Sequence, residues 1–317
     1  MDLVSIVITT YKRKDELKKA ICSVLAQTYN NIEVIVIDDN ADTSISHAVQ
    51  EIVQDFGDSR VSYWKNEHNL GGALSRNVGL KFSKGKYIAF LDDDDEYMPD
   101  KIELQVDKFK TSKYKNLGLV YGYTEAVDAD GNVLTVYRNK VEGNFVYEAM
   151  ENTIAATSQW LCLKEAVDAI GGFRDVPCKQ DTTFLIDVAL AGYQIDYVPK
   201  ILSKYYELNI ERISGFGPKR IKGEEILRNT IRENYSNLTS NEKKKIEWNI
   251  GFRIYDLYLN NFMLKKAIHE QKQLLENAES VYQKCRVIIY MPYKLMRKLS
   301  GNTVRKFRKL RLEIFKK

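Results

Sequence analysis

Tyr87-Ile-Ala-Phe-Leu-Asp-Asp-Asp-Asp95 decides the fold: a short apolar run that begins after Gly85 and ends in four consecutive aspartates. An apolar run bounded in this way reads as a buried strand. In an open α/β sheet, ligands bind outside the carboxyl ends of the strands. The aspartates are therefore delivered where a ligand would sit. Four crowded carboxylates repel one another unless something positive lies between them. A hard cation with oxygen preference, Mg²⁺ or Mn²⁺, relieves that repulsion and commonly brings a phosphorylated substrate with it. The competing reading is a solvated acidic turn leading into the helix that begins near Pro99.

Outward from this stretch, strand-like and helix-like segments alternate. Residues 4–9 form a β-branched run, and residues 14–27 carry helical spacing through Leu17, Ala20, Ile21, Val24 and Leu25. Residues 32–37 read as a second strand, 45–56 as a helix, 61–64 as a short strand and 73–82 as a helix opened by Gly71-Gly72. Such alternation with short connections argues for a doubly wound, parallel α/β sheet with helices on both faces. Beyond it, residues 117–123, 133–137 and 158–163 are strand candidates, and 182–191 looks helical. From Glu224 onward Ile246, Ile250, Ile254, Leu257 and Phe262 recur at helical spacing. The domain boundary is expected near Gly215-Phe-Gly-Pro218, giving domains 1–215 and 216–317.

Two further segments belong with the aspartates. Asp38-Asp39 directly follows the second strand, where an acidic residue commonly accepts hydrogen bonds from a ribose or a base; the alternative is a helix cap or Asx turn. In Asn69-Leu-Gly-Gly-Ala-Leu-Ser-Arg76-Asn77, glycines before a helix allow a phosphate to approach its exposed amides, with Arg76 one turn in. No Walker A loop and no G-x-G-x-x-G follows the first strand, so P-loop and dinucleotide-binding readings lose support. A nucleotidyltransferase would want a glycine-rich basic loop there, and Thr9-Thr-Tyr-Lys-Arg13 contains no glycine.

Composition bounds the rest. The chain has 317 residues, 44% apolar and 29% charged, an ordinary globular balance. Residues 3–8 read as a strand too short for a signal h-region, and no apolar run reaches membrane-spanning length. Cys22, Cys162, Cys178 and Cys285 show neither metal-ligand nor redox spacing and read as buried or semi-buried thiols in a reducing compartment. With His47, His68 and His269 as the only histidines, a histidine zinc site is disfavoured.

Charge is uneven. Residues 284–317 carry twelve Lys or Arg and one Glu, a net of +11, against +5 for the whole chain, which leaves −6 for residues 1–283. Over residues 294–317, Val304, Phe307, Leu310, Ile314 and Phe315 fall on one broad helical face. Arg305, Lys306, Lys309 and Lys316 fall mainly on the other, while Arg308 and Arg311 intrude on the apolar side. A basic amphipathic helix suits an anionic membrane surface. Packing on the chain's own domain is the rival. Nucleic acid is disfavoured, because no recognised module accompanies the charge.

Taken in order, Ser5-Ile-Val-Ile-Thr-Thr-Tyr-Lys-Arg13, Gln27-Thr28-Tyr29, Val36-Ile-Asp-Asp-Asn40, residues 71–77 and Phe90-Leu-Asp-Asp-Asp-Asp95 resemble the family 2 glycosyltransferases. Ile170-Gly-Gly-Phe173 and Gln180-Asp181 resemble that family's acceptor-side motif, so the resemblance covers about residues 3–215. It implies a GT-A fold, Rossmann-like with a mostly parallel sheet, plus a C-terminal helical region. It also implies a nucleotide-sugar donor, UDP by default, in the N-terminal crevice. Thr9, Tyr11, Arg13, Asp38, Asp39, Gly71, Arg76, Asp92 and Asp93 then fall on the donor side. Asp92 and Asp94 match the D-x-D positions that hold Mn²⁺ or Mg²⁺, with Asp94 the leading ligand. Asp95, Gln180 and Trp160 fall on the acceptor side; Asp95 has the alternative of orienting the donor sugar or a metal-bound water, and Trp160 that of core packing.

Asp181 matches the catalytic base, with helix capping as its other reading. One base and one face of attack imply a single displacement with inversion. The acceptor is a glycan or lipid-linked hydroxyl, and the setting a cytoplasmic enzyme at the inner face of the plasma membrane. A homo-oligomer or a complex with other glycosyltransferases is compatible with this. The chain departs from the family twice: Gln180 stands where Glu is common, and residues 200–216 lack a metal-reaching His. Glu207 or Asn209 is a candidate substitute for that His, the alternative being a metal held by fewer protein ligands. These departures keep alive a non-catalytic nucleotide-sugar-binding subunit that recruits or regulates a partner enzyme.

Overall fold

The computed structural model describes residues 1–151, 154–207 and 217–314, with side chains of the last helix described as far as residue 297. The chain divides into two compact units, 1–210 and 211–317. The boundary expected near residue 215 falls between described segments.

In the first unit β1 (Val4–Thr10), α1 (Lys14–Leu25), β2 (Ile32–Asp38), α2 (Thr43–Asp55), β3 (Val61–Lys65), α3 (Gly72–Phe82) and β4 (Tyr87–Asp92) form the alternating array. There follow β5 (Asp95–Tyr97), α4 (Lys101–Thr111), β6 (Leu117–Val127), β7 (Val133–Tyr137) and α5 (Val146–Glu151). The unit ends with β8 (Leu161–Leu163), α6 (Lys164–Ile170), α7 (Gln180–Leu190) and β9 (Gln194–Tyr206). The sheet order is β3-β2-β1-β4-β8-β6-β9-β5, with β7 paired to β6. β1, β2, β3 and β4 run parallel, as do β6 and β9, whereas β5, β7 and β8 pair antiparallel with their neighbours. The sheet is thus mostly parallel and mixed.

Helices cover the sheet because its central strands are apolar on both faces. One face carries Val4, Ile6, Ile8, Val34, Val36, Ala89 and Leu91 into a core with Leu17, Ile21 and Val24 of α1, Val49 of α2, and Ile102 and Val106 of α4. On the other, α3 lies close against β1 at Gly79, where an added Cβ would stand 2.3 Å from Val7 Cγ1. Asp42 caps α2, accepting from the Ser44 amide at 2.8 Å.

Two segments differ from the sequence reading. Residues 158–163 are not one strand: Thr157–Gln159 form a 3₁₀ turn and only Leu161–Leu163 join the sheet. The Gln159 side chain closes that turn by accepting the Ala156 amide at 2.8 Å. The thirteen-residue β9 was not read as a strand at all. Pro199 and Lys200 break its apolar alternation, and its register against β6 shifts between Gly122 and Tyr123. Cys162 and Cys178 are buried as expected, but Cys22 and Cys285 are exposed.

The second unit is helical in its described residues: α8 (Pro218–Glu233), α9 (Ser240–Asn260), α10 (Leu264–Glu276) and α11 (Val281–Ile314). Pro218 opens α8 with a preset φ. Thr239 and Glu242 form a capping box on α9, with Glu242 accepting the Thr239 amide at 2.7 Å. Ile246, Ile250 and Ile254 bury one face of α9. Among the described residues no helix is long and apolar enough to cross a membrane.

Candidate active site

The strand register builds the site. Thr10 of β1 pairs with Asp38 of β2, and Thr9 pairs with Asp92 of β4, so three parallel strands end side by side. Asp92 ends β4, Asp93 and Asp94 make the turn, and Asp95 opens β5. The acidic run is therefore a tight reversal at the carboxyl edge of the sheet.

The carboxylates in this reversal divide a small set of partners. Asp93 accepts from the Tyr11 amide at 3.1 Å and from Arg13 Nη1 at 3.0 Å. The same Arg13 nitrogen lies 2.8 Å from Asp94 Oδ2. Asp92 accepts from Arg76 Nη2, and its own amide donates to Ser158 Oγ at 3.2 Å. Ser158 donates in turn to Asp95 Oδ2 at 2.5 Å, while Asp95 Oδ1 is buried without a hydrogen bond.

Two guanidinium groups thus face four carboxylates, and the deficit is visible in their acidity. Burial, then repulsion from Asp94, pushes Asp93 up to about 7 against the pull of Arg13. Asp95 is held well above the usual carboxylate range by burial and by Asp92 and Asp94. Burial works against the Arg13 charge, but Asp94 and Asp93 override it and hold the guanidinium above its ordinary value. A cluster of hard oxygens, one of them orphaned, with carboxyls driven toward protonation, fits a divalent cation. Among the described residues no group of three or more carboxylates, histidines or cysteines is arranged to hold a metal ion. The fit is therefore to a cation held by one or two aspartates and completed by substrate phosphates and water, the habit of Mg²⁺.

Asp38 and Asp39 are both buried and hydrogen-bonded within the fold. Asp38 is buried, accepting from Tyr63 Oη at 2.7 Å and from the Asn40 amide at 2.9 Å. Asp39 accepts from the amides of Leu70 and Gly71 at 2.7 and 2.8 Å and from Asn66 Nδ2 at 2.9 Å. Asp39 thus occupies the Gly71 amide and ties the end of β2 to the loop before α3. Gly71 takes φ 80°, which its lack of a Cβ makes cheap.

Arg76, 8% exposed, is the hub. Besides Asp92 it donates from Nη1 to Gln180 Oε1 at 3.0 Å, and its guanidinium carbon lies 5.4 Å from the Phe173 ring centre. Arg76 thereby joins the acidic reversal to the start of α7, where Asp181 sits in the first turn with Oδ1 accepting from its neighbour Thr182. The N-cap of α7 is Lys179, at φ 66°, and not Asp181.

Trp160 is corrected. Fully buried, it stacks on Phe184 at 5.1 Å between ring centres and donates from Nε1 to the Ala155 carbonyl. It is a core residue and presents no face to an acceptor. The Thr157-Ser158 turn beside it was missed as a site element; its polar residues inside an apolar stretch were the available signal. Lys101 supports that turn from below, donating to Gln105 at 2.7 Å and to the Trp160 carbonyl at 3.1 Å. Tyr11 is exposed at the rim. Glu16, Lys19, Asp94, Asp95, Glu96 and Tyr206 line a small open cleft beside the reversal. Glu207 lies at the end of β9, with its amide donating to the Val127 carbonyl. Asn209 is outside the described residues.

Comparison with known proteins agrees with this geometry. Two Escherichia coli proteins, both described as UDP-Glc:alpha-D-GlcNAc-diphosphoundecaprenol beta-1,3-glucosyltransferases, are similar to this chain. One is 42% identical over 113 residues, 36% of this chain and 43% of the relative. The other is 35% identical over 144 residues, 45% of this chain and 51% of the relative. The chain thus spans about half the length of the curated relatives it matches. Among solved structures, Staphylococcus aureus TarS 1-349 in complex with UDP-GlcNAc superposes with a TM-score of 0.63 at 16% identity, covering 87% of this chain and 79% of the other. Mannosyltransferase PcManGT from Pyrobaculum calidifontis, in complex with GDP-Man and Mn²⁺, gives 0.56 at 18% identity, covering 92% and 80%. At such identities the likeness is one of fold, and it is the GT-A fold. The family described as “Glycosyl transferase family 2” matches residues 5–171, more than half of the chain, and the protein therefore belongs to the family 2 glycosyltransferases.

Proposed function

We propose that the chain transfers a sugar with inversion from a nucleoside diphosphate-sugar, a UDP-sugar in the first instance, to a hydroxyl of a lipid-linked glycan acceptor. The observation that carries the reading is the Arg76 bridge. One buried guanidinium ties the acidic reversal to the helix start that bears Asp181, so donor-side and acceptor-side groups share one framework. The two E. coli relatives, named for UDP-Glc and a diphosphoundecaprenol-linked acceptor, favour this substrate class.

In this reading Asp181 removes the proton of the attacking hydroxyl. A carboxylate is a weak base for a sugar alcohol, so removal is concerted with attack and depends on tight positioning. The first turn of α7 supplies that positioning. Arg13 and Arg76 hold the aspartates apart and fix their orientation. Asp94 and Asp92 are the residues that would hold Mn²⁺ or Mg²⁺, which when bound supplies charge neutralisation to the departing diphosphate. Tyr11 and Thr9, at the end of β1, border the nucleotide. The setting is the cytoplasmic face of a membrane, to which the basic C-terminal segment is attracted.

Calorimetric titration of UDP, GDP, CDP and dTDP, each with Mn²⁺ or with EDTA, tests this. One nucleotide should bind only with metal, and Asp94→Ala should weaken it roughly 100-fold or more, given a metal–phosphate interaction of several kcal/mol. Binding that ignores both metal and substitution would remove the metal from the proposal. No binding at all would favour a non-catalytic partner subunit.

A further inference from the structure

The first half of α11 is amphipathic in an inverted sense. Val287 is fully buried, its carbonyl accepting from Tyr255 of α9 and Gln271 of α10. On the same side Tyr290 donates to Asp256 at 2.7 Å, and Lys294 pairs with Asp256 at 2.7 Å. This is the face that holds the helix to its own unit. At roughly 100° per residue, Val281, Cys285, Ile288, Ile289, Pro292 and Met296 fall on the opposite face. There Val281 is 77% exposed, and Ile289 and Met296 are each 63% exposed. The helix therefore turns a continuous apolar stripe outward instead of a polar one.

Single exposed apolar residues are ordinary, but a contiguous stripe marks a surface that something covers. Its borders say what. Lys284 lies along one edge, Arg286 and Arg297 along the other, all three exposed. Tyr282 and Tyr293, also exposed, flank the stripe with the amphipathic ring favoured at a membrane interface. The segment from Lys284 onward carries a net charge of +11. A second copy of the same helix would bring that charge against itself. An anionic bilayer takes up both the apolar stripe and the charge beside it.

We propose that residues 281–296 of α11 form an interfacial membrane-binding helix that inserts its outward apolar stripe into an anionic lipid surface. This goes beyond attraction of the basic C-terminal segment, because insertion of the stripe and not charge alone supplies the binding. It deepens the membrane setting of the proposed function without depending on the catalytic residues.

Flotation of the full chain with vesicles of phosphatidylglycerol and phosphatidylcholine, or of phosphatidylcholine alone, is the test. The chain should float with the anionic vesicles, and high salt should weaken this without abolishing it. Ile289→Asp should lower partitioning about 10- to 100-fold, the scale of one buried aliphatic side chain, while Ile289→Leu retains it. Circular dichroism checks that the variant folds; if it does not, Met296→Asp asks the same question one turn on. Binding that salt abolishes and Ile289→Asp leaves unchanged overturns insertion in favour of simple adsorption. A concentration-dependent dimer in sedimentation that Ile289→Asp dissolves overturns it in favour of self-association. No binding to either vesicle also overturns it. Nucleotide titration of the same variant should be unaltered, so failure here is separate from failure of the glycosyltransferase reading.

Discussion

Each unit holds a buried charge cluster, and the two are built to opposite ends. In the helical unit Arg228 lies between Glu247 and Glu270, with contacts of 2.8 Å to each, and Arg232 makes a second 2.6 Å contact to Glu247. Two cations meet two anions, and Tyr235 donates to Glu247 as well. Burial raises the pKa of Glu247, but Arg232, Tyr235 and Arg228 outweigh it and bring the carboxyl down to about 2, whereas burial keeps Glu270 raised against the pull of Arg228. In the α/β unit four aspartates share two arginines, and Asp93 and Asp95 are pushed upward. A cluster closed by its own chain holds helices together. A cluster left short of positive charge has a use for a bound cation, as the proposed function requires. The location of each follows: the closed one joins α8, α9 and α10, and the open one lies at the carboxyl edge of the sheet.

The largest effect is expected at Asp181, beside the Gln180 that Arg76 ties to the open cluster: on the proposed function, Asp181→Asn keeps shape and removes the base. Turnover should fall about 10²- to 10⁴-fold, while metal-dependent nucleotide binding, read by calorimetry, stays within about twofold of the wild type. Equal loss of both would make Asp181 a structural residue and dissolve the contrast.

For the closed cluster the expectation is reversed. Arg228→Met leaves Glu270 buried without its counter-charge and should destabilise the fold by about 3–5 kcal/mol, measured by thermal or urea unfolding. Nucleotide affinity of the folded fraction should not change. A change in affinity without a change in stability would break the assignment of this cluster to structure.

Lys101 is a third case, and its effect is read only as the pH is raised. It is completely buried, bonded to neutral partners and 4.1 Å from the Tyr97 ring centre, and burial brings its ammonium down to about 7 from 10.5. Between those two values the unfolded chain carries a proton the folded chain has lost. Unfolding free energy therefore rises with pH from about 7 to 10.5, by at most about 1.4 kcal/mol per pH unit, and is flat in this respect below 7. Lys101→Met should remove that rise from a series of unfolding curves. If the rise persists in the variant, its origin lies elsewhere.

Much of this was legible before any coordinates. The β-branched runs, the Gly71-Gly72 opening and the aspartates after Leu91 each carry a local signal, because strand ends and helix starts impose residue types at short range. Trp160 shows where that stops. An indole between two motif segments looks like a sugar platform until Phe90, Phe173 and Phe184, distant in sequence, close around it. Asp39 shows the same limit, since nothing local reveals that its carboxylate is taken by the amides of Leu70 and Gly71.

The sequence by itself determined the α/β class, the family and the order of the acidic segments, since these rest on short-range periodicity and on motif spacing. Only the tertiary structure decided which carboxylates are paired, that Arg76 joins Asp92 to Gln180, that β9 enters the sheet, and that the stripe on α11 faces outward. Those depend on residues far apart in the chain meeting in a packed interior, where burial and charge balance are fixed by neighbours that the linear order does not name.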